Sequence, residues 1–491
     1  MKVNKTYAAI FAACLLLAVM VPAVAAAAYP HNAQFIAYYN PSAITTGKAP
    51  ANAGTTEVNT AAATTMASAA ATTSRITPLA TPSSTDWPQF HYNAAHNGTS
   101  PSSAPSSNST MWSKNLTVIG TTNPIVSNGK VFLLTGYAGF DEPDGLTTIN
   151  LTCLNASNPS QILWNFTLPR TVHYGSYSSP TTDGTYVYVS SDYSHYAINI
   201  STGQQVWKFT SSDVNLNGGP SVGGNNVYVS DWGSGSGGDY YSLNKATGAE
   251  NWVFNNDKVT QYPMEYAQGS PAYDSADGSI YVTGYTYSGT NGTGSRGYLY
   301  KVSSSGNEVW SVQSDEGENF CGSAAVDSTK VYVASYNFGG NGQLYAYYKN
   351  NGTLAWSQSI EPTDATPAIA NGNVYISGGT AGFTPHGVYA FNASTGSVVW
   401  SLDGANGTNP NDIGGWTDSP SVSVGGTTSY VFVGHETDNS SYPDYCYNAI
   451  YALNATTGAT VWYYPQGGAT AAIANSQVYT IGNNGYLYRF G

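Results

Sequence analysis

Residues 178–209 read SSPTTDGTYVYVSSDYSHYAINISTGQQVWKF. The same pattern returns at 218–254, GGPSVGGNNVYVSDWGSGSGGDYYSLNKATGAENWVF, and at 365–402, ATPAIANGNVYISGGTAGFTPHGVYAFNASTGSVVWSL. Each copy opens on a Pro or Ala, crosses a Gly-containing turn into Val-Tyr-Val, and passes a variable Gly-rich loop. It then closes on Tyr-Ala-Leu-Asn, Thr-Gly and Trp. The Val-Tyr-Val and Tyr-Ala-Leu runs alternate large side chains with the period of a strand. The Asp-Gly, Gly-Gly, Asn-Gly and Thr-Gly pairs supply the positive φ that tight turns need. Each unit therefore predicts about four short strands.

The closing tryptophans are Trp112, Trp164, Trp207, Trp252, Trp310, Trp356, Trp400 and Trp462, and only Trp87, Trp232 and Trp416 fall outside the series. A four-stranded sheet cannot cover both of its own faces. A repeat of this length with one aromatic mark per unit therefore predicts sheets stacked around an axis. The final unit stops after three strands and lacks its Trp. The first fragment, MWSKNLTV at 111–118, supplies only a fourth strand. Together they predict an all-β, eight-bladed β-propeller over 86–491, closed by an N-terminal outer strand against C-terminal inner strands. Seven or nine blades are the rivals, if the long units ending at Trp310 and Trp462 are miscounted.

At YAINISTGQQVW, YSLNKATGAENW, YAFNASTGSVVW and YALNATTGATVW the chain resembles the pyrroloquinoline-quinone-type propeller repeat family, as does the opening DWPQFHYNAAHNGTS at 86–100. The resemblance covers about four fifths of the chain. It implies that the Trp packs between neighbouring blades and that the Gly makes the turn. The family includes quinone-dependent alcohol and glucose dehydrogenases and also non-catalytic scaffolds that assemble outer membranes. Its dehydrogenases typically carry an adjacent Cys-Cys pair, a Glu, Asn and Asp set for calcium, and a catalytic Asp. This chain has no Cys-Cys pair and no Cys-x-x-Cys-His haem motif, and neither the calcium set nor the catalytic Asp maps onto a matching motif.

The remaining composition bounds the role. Lys and Arg number 15 against 28 Asp and Glu, a net charge of -13, and only 9% of residues are charged. Such a chain has no basic stripe with which to meet phosphates, so nucleic acid is excluded as a partner. Residues 1–28 read as a secretory signal, with Lys2 and Lys5 ahead of an apolar run and small residues near Ala26 to Ala28; a retained membrane anchor is the rival, since the apolar run is long enough to span if uncleaved. No other stretch resembles a membrane span. Residues 29–85, rich in Ala, Thr and Ser, read as a flexible linker or stalk. Past the signal, Asn-x-Ser/Thr occurs at Asn97, Asn108, Asn115, Asn150, Asn155, Asn165, Asn199, Asn291, Asn351, Asn392, Asn406, Asn439 and Asn454. Glycosylation there would keep a charge-poor surface solvated. Such a surface fits an archaeal envelope protein of an acidic habitat.

Residues just before each innermost strand are expected to face the axial funnel: His173, Tyr174, Asn217, Glu265, Glu318, Asn319, Cys321, Asp364, Trp416 and Asp418. Of these, His173, Glu265, Trp416 and Asp418 are the candidates for holding a flat cofactor, and Glu318, Asn319 and Asp364 for a metal. The rival is an ordinary polar rim filled with water. Cys153, Cys321 and Cys446 read as buried small residues. His31, His91, His96, His195, His386 and His435 read as loop or turn residues, mostly solvated.

The sequence thus favours a secreted or cell-surface propeller acting as a rigid, non-catalytic platform. Its partners would be envelope or extracellular proteins, further copies of itself, or glycans, with no cofactor required. The alternative is an unusual dehydrogenase dependent on pyrroloquinoline quinone (PQQ) and calcium.

Overall fold

The computed structural model describes residues 56–58, 82–116, 123–135, 148–169, 179–215, 218–233, 237–288, 294–337, 342–437 and 446–491. The signal, Asn291 and Asn439 lie outside them, as does nearly all of the expected stalk. Every element longer than three residues among the described residues is a strand, and the strands form eight sheets. The sheet holding Trp207 is representative. Thr181–Thr182, Tyr186–Ser191, Ser194–Asn199 and Gln205–Thr210 follow one another as an antiparallel meander. Its second and third strands are buried on both faces, whereas Gln205–Thr210 alternates between buried and half-exposed positions. Neighbouring sheets cover both faces of the inner strands, so these read as continuous apolar runs. The outer strand keeps one wet face and hence the period of two.

Inner strands of neighbouring sheets touch from Thr181–Thr182 to Ala325–Val326 and from Ala368–Ala370 to Ala472–Ala474, which in turn touches Ile125–Ser127 of the first complete sheet. Thr110–Asn115, carrying Trp112, pairs antiparallel with Tyr486–Phe490, so one sheet is built from both ends of the repeat region.

The Thr-Gly and Trp marks meet between sheets. The indole N–H of each closing Trp donates to a carbonyl at the turn of the next unit: Trp112 to Ala156, Trp164 to Ile200, Trp207 to Lys245 and Trp252 to Ser304. Trp310 donates to Lys349, Trp356 to Ala393, Trp400 to Ala455 and Trp462 to Pro105, all eight bonds being 2.9–3.1 Å. Gly396 shows why the turn takes glycine. Its φ is +74°, and a Cβ there would lie 2.7 Å from Cδ2 of Trp356. The Asn before the turn is also constrained. Oδ1 of Asn392 accepts from the N–H groups of Ser394 and Thr395, both at 3.0 Å. Asn155, Asn199 and Asn454 make the same pair of bonds. This is an Asx turn, so the Asn recurs here for a reason of folding, whether or not a glycan is attached; Asn244 makes the same pair of bonds with Ala at the third position.

Residues 85–102 hold the sheets together at the exit end of their inner strands. Trp87 exchanges two backbone bonds with Val126, Pro88 accepts from Thr182, and the Gln89 side chain bonds Val222. Ala94 then accepts from Tyr273, Ala95 from Val326, Asn97 from Ile369, Gly98 from Val422 and Ser100 from Val424. Thr85 and Ser102 complete the circuit on Asn475 and Ser476. The segment thus touches all eight sheets in chain order. Two of its histidines correct the expectation of solvated positions. His91 and His96 are fully buried, the His91 ring lying 2.6 Å from the carbonyl oxygen of His96 and 2.8 Å from that of Pro420. Burial lowers the His91 pKa to about 4 although both carbonyls pull the other way, and lowers that of His96 to about 3. His195 and His386 are buried as well, while His31 lies outside the described residues.

Within the expected stalk, Thr56–Val58 lies antiparallel along the outer strand Gln205–Thr210. That strand's free edge offers unpaired N–H and C=O groups, and a short β-prone segment satisfies them. No helix among the described residues is long and apolar enough to cross a membrane.

Candidate functional site

The opposite, leading end of the inner strands is framed by small hydroxyl residues. The N–H of Gly219 donates to Ser270 Oγ, that of Ser270 to Ser323 Oγ, that of Thr366 to Ser419 Oγ and that of Ser419 to Thr470 Oγ1, at 2.8–2.9 Å. Each bond joins one unit to the next, so the backbones leading into the strands are held at fixed spacing around the axis.

Above this frame runs a buried aromatic belt: Trp232, Tyr266, Tyr285, Tyr336, Trp416 and Tyr447, with Cys321 among them. The Trp232 indole donates to the Tyr285 hydroxyl at 3.3 Å, and the Tyr266 and Tyr285 rings stack at 4.9 Å. Tyr336 lies against Trp416 at 5.1 Å. Burial, then the proximity of Cys321, holds the Tyr285 hydroxyl well above its ordinary pKa. Burial, then Asp364, does the same to the Cys321 thiol. The Tyr285 hydroxyl and the Cys321 thiol therefore stay uncharged over a wide pH range. Gln268 and Asn319 bring buried amides to the same end, and neither the oxygen nor the nitrogen of either amide has a hydrogen-bond partner. Buried amides are normally satisfied, so these four atoms offer two donors and two acceptors to a bound molecule.

The sequence candidates separate here. His173, Tyr174 and Asn217 lie outside the described residues. Trp416 and Asp418 are buried. The backbone N–H of Trp416 donates to Glu436 Oε2 at 2.8 Å, and Asp418 Oδ2 accepts from the Gly434 N–H at 2.6 Å. Burial pushes the Asp418 pKa up to about 7. Asp364 joins this edge through its backbone, its N–H donating to the Trp416 carbonyl at 2.9 Å. Glu265 is half-buried and accepts from the Tyr287 N–H at 3.2 Å. Glu318 takes the Tyr345 hydroxyl at 2.8 Å. Among the described residues, neither Glu318 nor Asp364 belongs to a group of three His, Cys, Asp or Glu side chains whose ligand atoms reach one ion.

Such a group does occur where it was not foreseen. His386, Asp412 and His435 bring three ligand atoms within 4.8 Å of one another. His386 immediately precedes the strand Gly387–Asn392, Asp412 sits in the loop to the next sheet, and His435 lies on the strand Tyr430–Thr437 of that sheet. The three are 26 and 23 residues apart along the chain, so no local spacing reveals them. The histidines were expected in solvated loops or turns. Instead His386 is 1% exposed and His435 is strand-borne and only partly exposed.

The profile described as outer membrane protein assembly factor BamB matches residues 150–290 and 295–490. The chain belongs to this family. Its PQQ-like, largely four-stranded repeat architecture is shared by solved BamB-type and quinoprotein structures. BamB from Moraxella catarrhalis superposes with a TM-score of 0.54 at 15% identity, over 78% of this chain and 99% of that one. The quinohemoprotein alcohol dehydrogenase from Comamonas testosteroni gives 0.60 at 13% identity, over 86% and 83%. At such identities the likeness is one of fold. A curated relative, tetrathionate hydrolase of Acidithiobacillus ferrooxidans, is 25% identical over 278 residues, covering 48% of this chain. The chain spans about half the length of that relative, which it matches over 50%. Scaffold and enzyme are thus both hosted on this architecture.

Proposed function

We propose that the chain is an exported, eight-bladed propeller enzyme that hydrolyses an inorganic sulfur–sulfur anion of the polythionate class in the axial belt. The eight sheets, the circular contacts of their inner strands and the strand shared by both termini support the blade count and the closure. The secretory signal and the kinship with an outer-membrane assembly family support an envelope or extracellular location, with 86–491 as the catalytic ring. Envelope-protein partners are compatible with this reading. The buried aromatic side chains and unpartnered amides at this end support an enzyme over the platform role favoured by sequence alone.

The observation that carries the reading is the belt itself. A polythionate is a sulfur chain capped at each end by a sulfonate. Aromatic faces and a buried thiol suit the sulfur chain, and the unpartnered amides of Gln268 and Asn319 offer N–H donors to sulfonate oxygens. In the reaction, water adds at a terminal sulfonate sulfur and the adjoining S–S bond breaks. Sulfate leaves with the water oxygen, the shortened sulfane takes one proton, and the other goes to solvent. The named activity of the curated relative is of the same class.

Quinone-dependent oxidation is the second reading, favoured by the planar faces of Trp416 and Trp232. PQQ carries three carboxylates and a polythionate two sulfonates, and no described Lys or Arg pairs with a belt side chain, so charge does not separate the two readings. In this reading Glu318, Asn319 and Asp364 are the proposed calcium donors.

The test supplies the purified chain with tetrathionate from pH 2 to 7 and follows sulfate and thiosulfonate-type products. A parallel arm offers PQQ, calcium and an alcohol with a redox dye. Sulfate release that falls at least tenfold in Asn319→Ala supports the proposal. Dye reduction without sulfate establishes the second reading, and inactivity in both arms returns the chain to the platform role.

A further inference from the structure

We propose that His386, Asp412 and His435 form a binding site for a divalent transition metal of the zinc class, between two neighbouring sheets and beside the axial belt, which it meets at Glu436. Three observations carry it.

The first is spacing. Asp412 Oδ2 lies 3.2 Å from His386 Nδ1 and 3.7 Å from His435 Nε2. Zinc bonds nitrogen and oxygen at about 2.0–2.2 Å in tetrahedral geometry, which places neighbouring ligand atoms about 3.3 Å apart. Two edges bracket that value and the third, between the imidazoles, is within 4.8 Å, so side-chain rotation is what would close the site. Two imidazoles select against calcium, which takes oxygen ligands.

The second is the fate of the other nitrogen of His386. Nε2 is buried without a hydrogen-bond partner, and the nearest carboxylate oxygen is Glu436 Oε2 at 3.8 Å. A metal on Nδ1 places the ring proton on Nε2, facing Glu436. That is the carboxylate–histidine–metal relay that orients a ligand and raises its basicity. Without a metal, Nδ1 is left 3.2 Å from the Asp412 carbonyl and Nε2 remains unsatisfied.

The third is preorganisation. Buried Asn409 ties the loop on both sides: Nδ2 donates to the carbonyls of His386 and Ile413, and Oδ1 accepts from the Ile413 N–H. The loop so held places Asp412 at φ +51°, a left-handed conformation that a non-glycine residue adopts at a cost. The Gly414 N–H donates to the Gly434 carbonyl and the Glu436 N–H to the Gly414 carbonyl, which dock the loop on the His435 strand. A register shift between His435 and Glu436 lets consecutive residues both approach His386. His386 is buried, whereas the Asp412 side chain is 57% exposed and that of His435 23%. An ion can therefore enter, and the protein supplies three ligands, leaving the fourth position to water or an anion.

The experiment uses the full chain, freed of metal by chelation and dialysis. Zinc is titrated with metal analysis after gel filtration, and cobalt(II) with visible spectroscopy. One equivalent of zinc and an intense tetrahedral cobalt band are expected. His435→Ala and Asp412→Asn, both at partly exposed side chains, are each expected to weaken zinc binding at least tenfold with the metal-free thermal midpoint unchanged. Glu316→Gln, on a distant exposed carboxylate, is expected to bind as the parent does. No stoichiometric zinc in the parent chain, or equal binding by both folded site variants, overturns the proposal. The readout is independent of any reaction at the axial belt.

Discussion

Two glycines of one sheet allow the inter-blade packing to be weighed. Gly372 and Gly396 both sit in turns at positive φ, +78° and +74°. An Ala at either position bears the left-handed backbone penalty of about 1–2 kcal/mol. Around Gly372 nothing lies within 4 Å of the added Cβ, whereas at Gly396 the Cβ meets Cδ2 and Cγ of Trp356 at 2.7 and 2.8 Å. The ring has little room to retreat, because its N–H is bonded to Ala393 of the same turn at 3.1 Å and its other face packs on Tyr332. Overpacking of this kind adds about 1–3 kcal/mol. Gly396→Ala is therefore expected to destabilise by about 2–5 kcal/mol and Gly372→Ala by about 1–2. The measurement is guanidinium unfolding followed by tryptophan fluorescence, with calorimetry as a check on cooperativity. A Trp356→Leu background should remove most of the excess at Gly396 and leave Gly372 untouched, which a double-mutant cycle reads directly. Equal losses at the two glycines, or an excess that survives in the Leu background, would refute the packing account.

Two further predictions concern groups whose environment sets their state. The Asp418 carboxyl keeps its proton up to about pH 7 in the folded chain and only to about pH 4 when unfolded. Between those values the folded state binds the extra proton, so this group's contribution to stability declines as pH rises through the window. Asp418→Asn should thus be increasingly favourable relative to the parent from pH 4 to pH 8, by up to roughly 4 kcal/mol; a difference in unfolding midpoint that does not vary with pH would count against it. At the Asx turn, Asn392→Asp keeps the acceptor and should be nearly neutral, while Asn392→Ala should cost about 1 kcal/mol. Matching losses for the two would show that the side-chain amide nitrogen, or a glycan on it, matters instead. Mass spectrometry of the 13 sequons separates those cases.

What the sequence made legible was whatever repeats. Tyr-Ala-Leu-Asn, Thr-Gly and Trp recur because a strand end, an Asx turn, a glycine and an indole meet at the junctions of Trp164, Trp207, Trp356 and Trp400. The indole bond itself recurs at all eight junctions and leaves eight tryptophans to read. Trp416 and Asp418 were placed near the axis by position alone, since they immediately precede an inner strand. Glu318 shows the limit of positional reasoning: it also precedes an inner strand, yet its carboxylate takes the hydroxyl of Tyr345 from the next sheet. Four of the sequons were ambiguous for a physical reason, because at Asn155, Asn199, Asn392 and Asn454 the Asn that would accept a glycan is also the Asn that closes this turn. His91 and His96 read as surface residues because nothing local announces that 85–102 is enclosed by all eight sheets. The His386, Asp412 and His435 constellation was illegible because each residue occurs once, in a different part of two adjoining units, and only their docking brings them together.

The segment 85–102 has a wider consequence. In an open array of repeats each unit leans only on its neighbours, so the ends fray and the damage spreads inward. Here one strip of backbone is fastened to every unit in turn, and one sheet takes strands from both termini of the ring. There is no end from which to fray. A protease that severs a single surface loop leaves both fragments clasped by the strip and by the shared sheet, so a nicked molecule should travel as a whole one. Outside the cell, where broken chains are not replaced in place, such a protein fails as a unit or not at all.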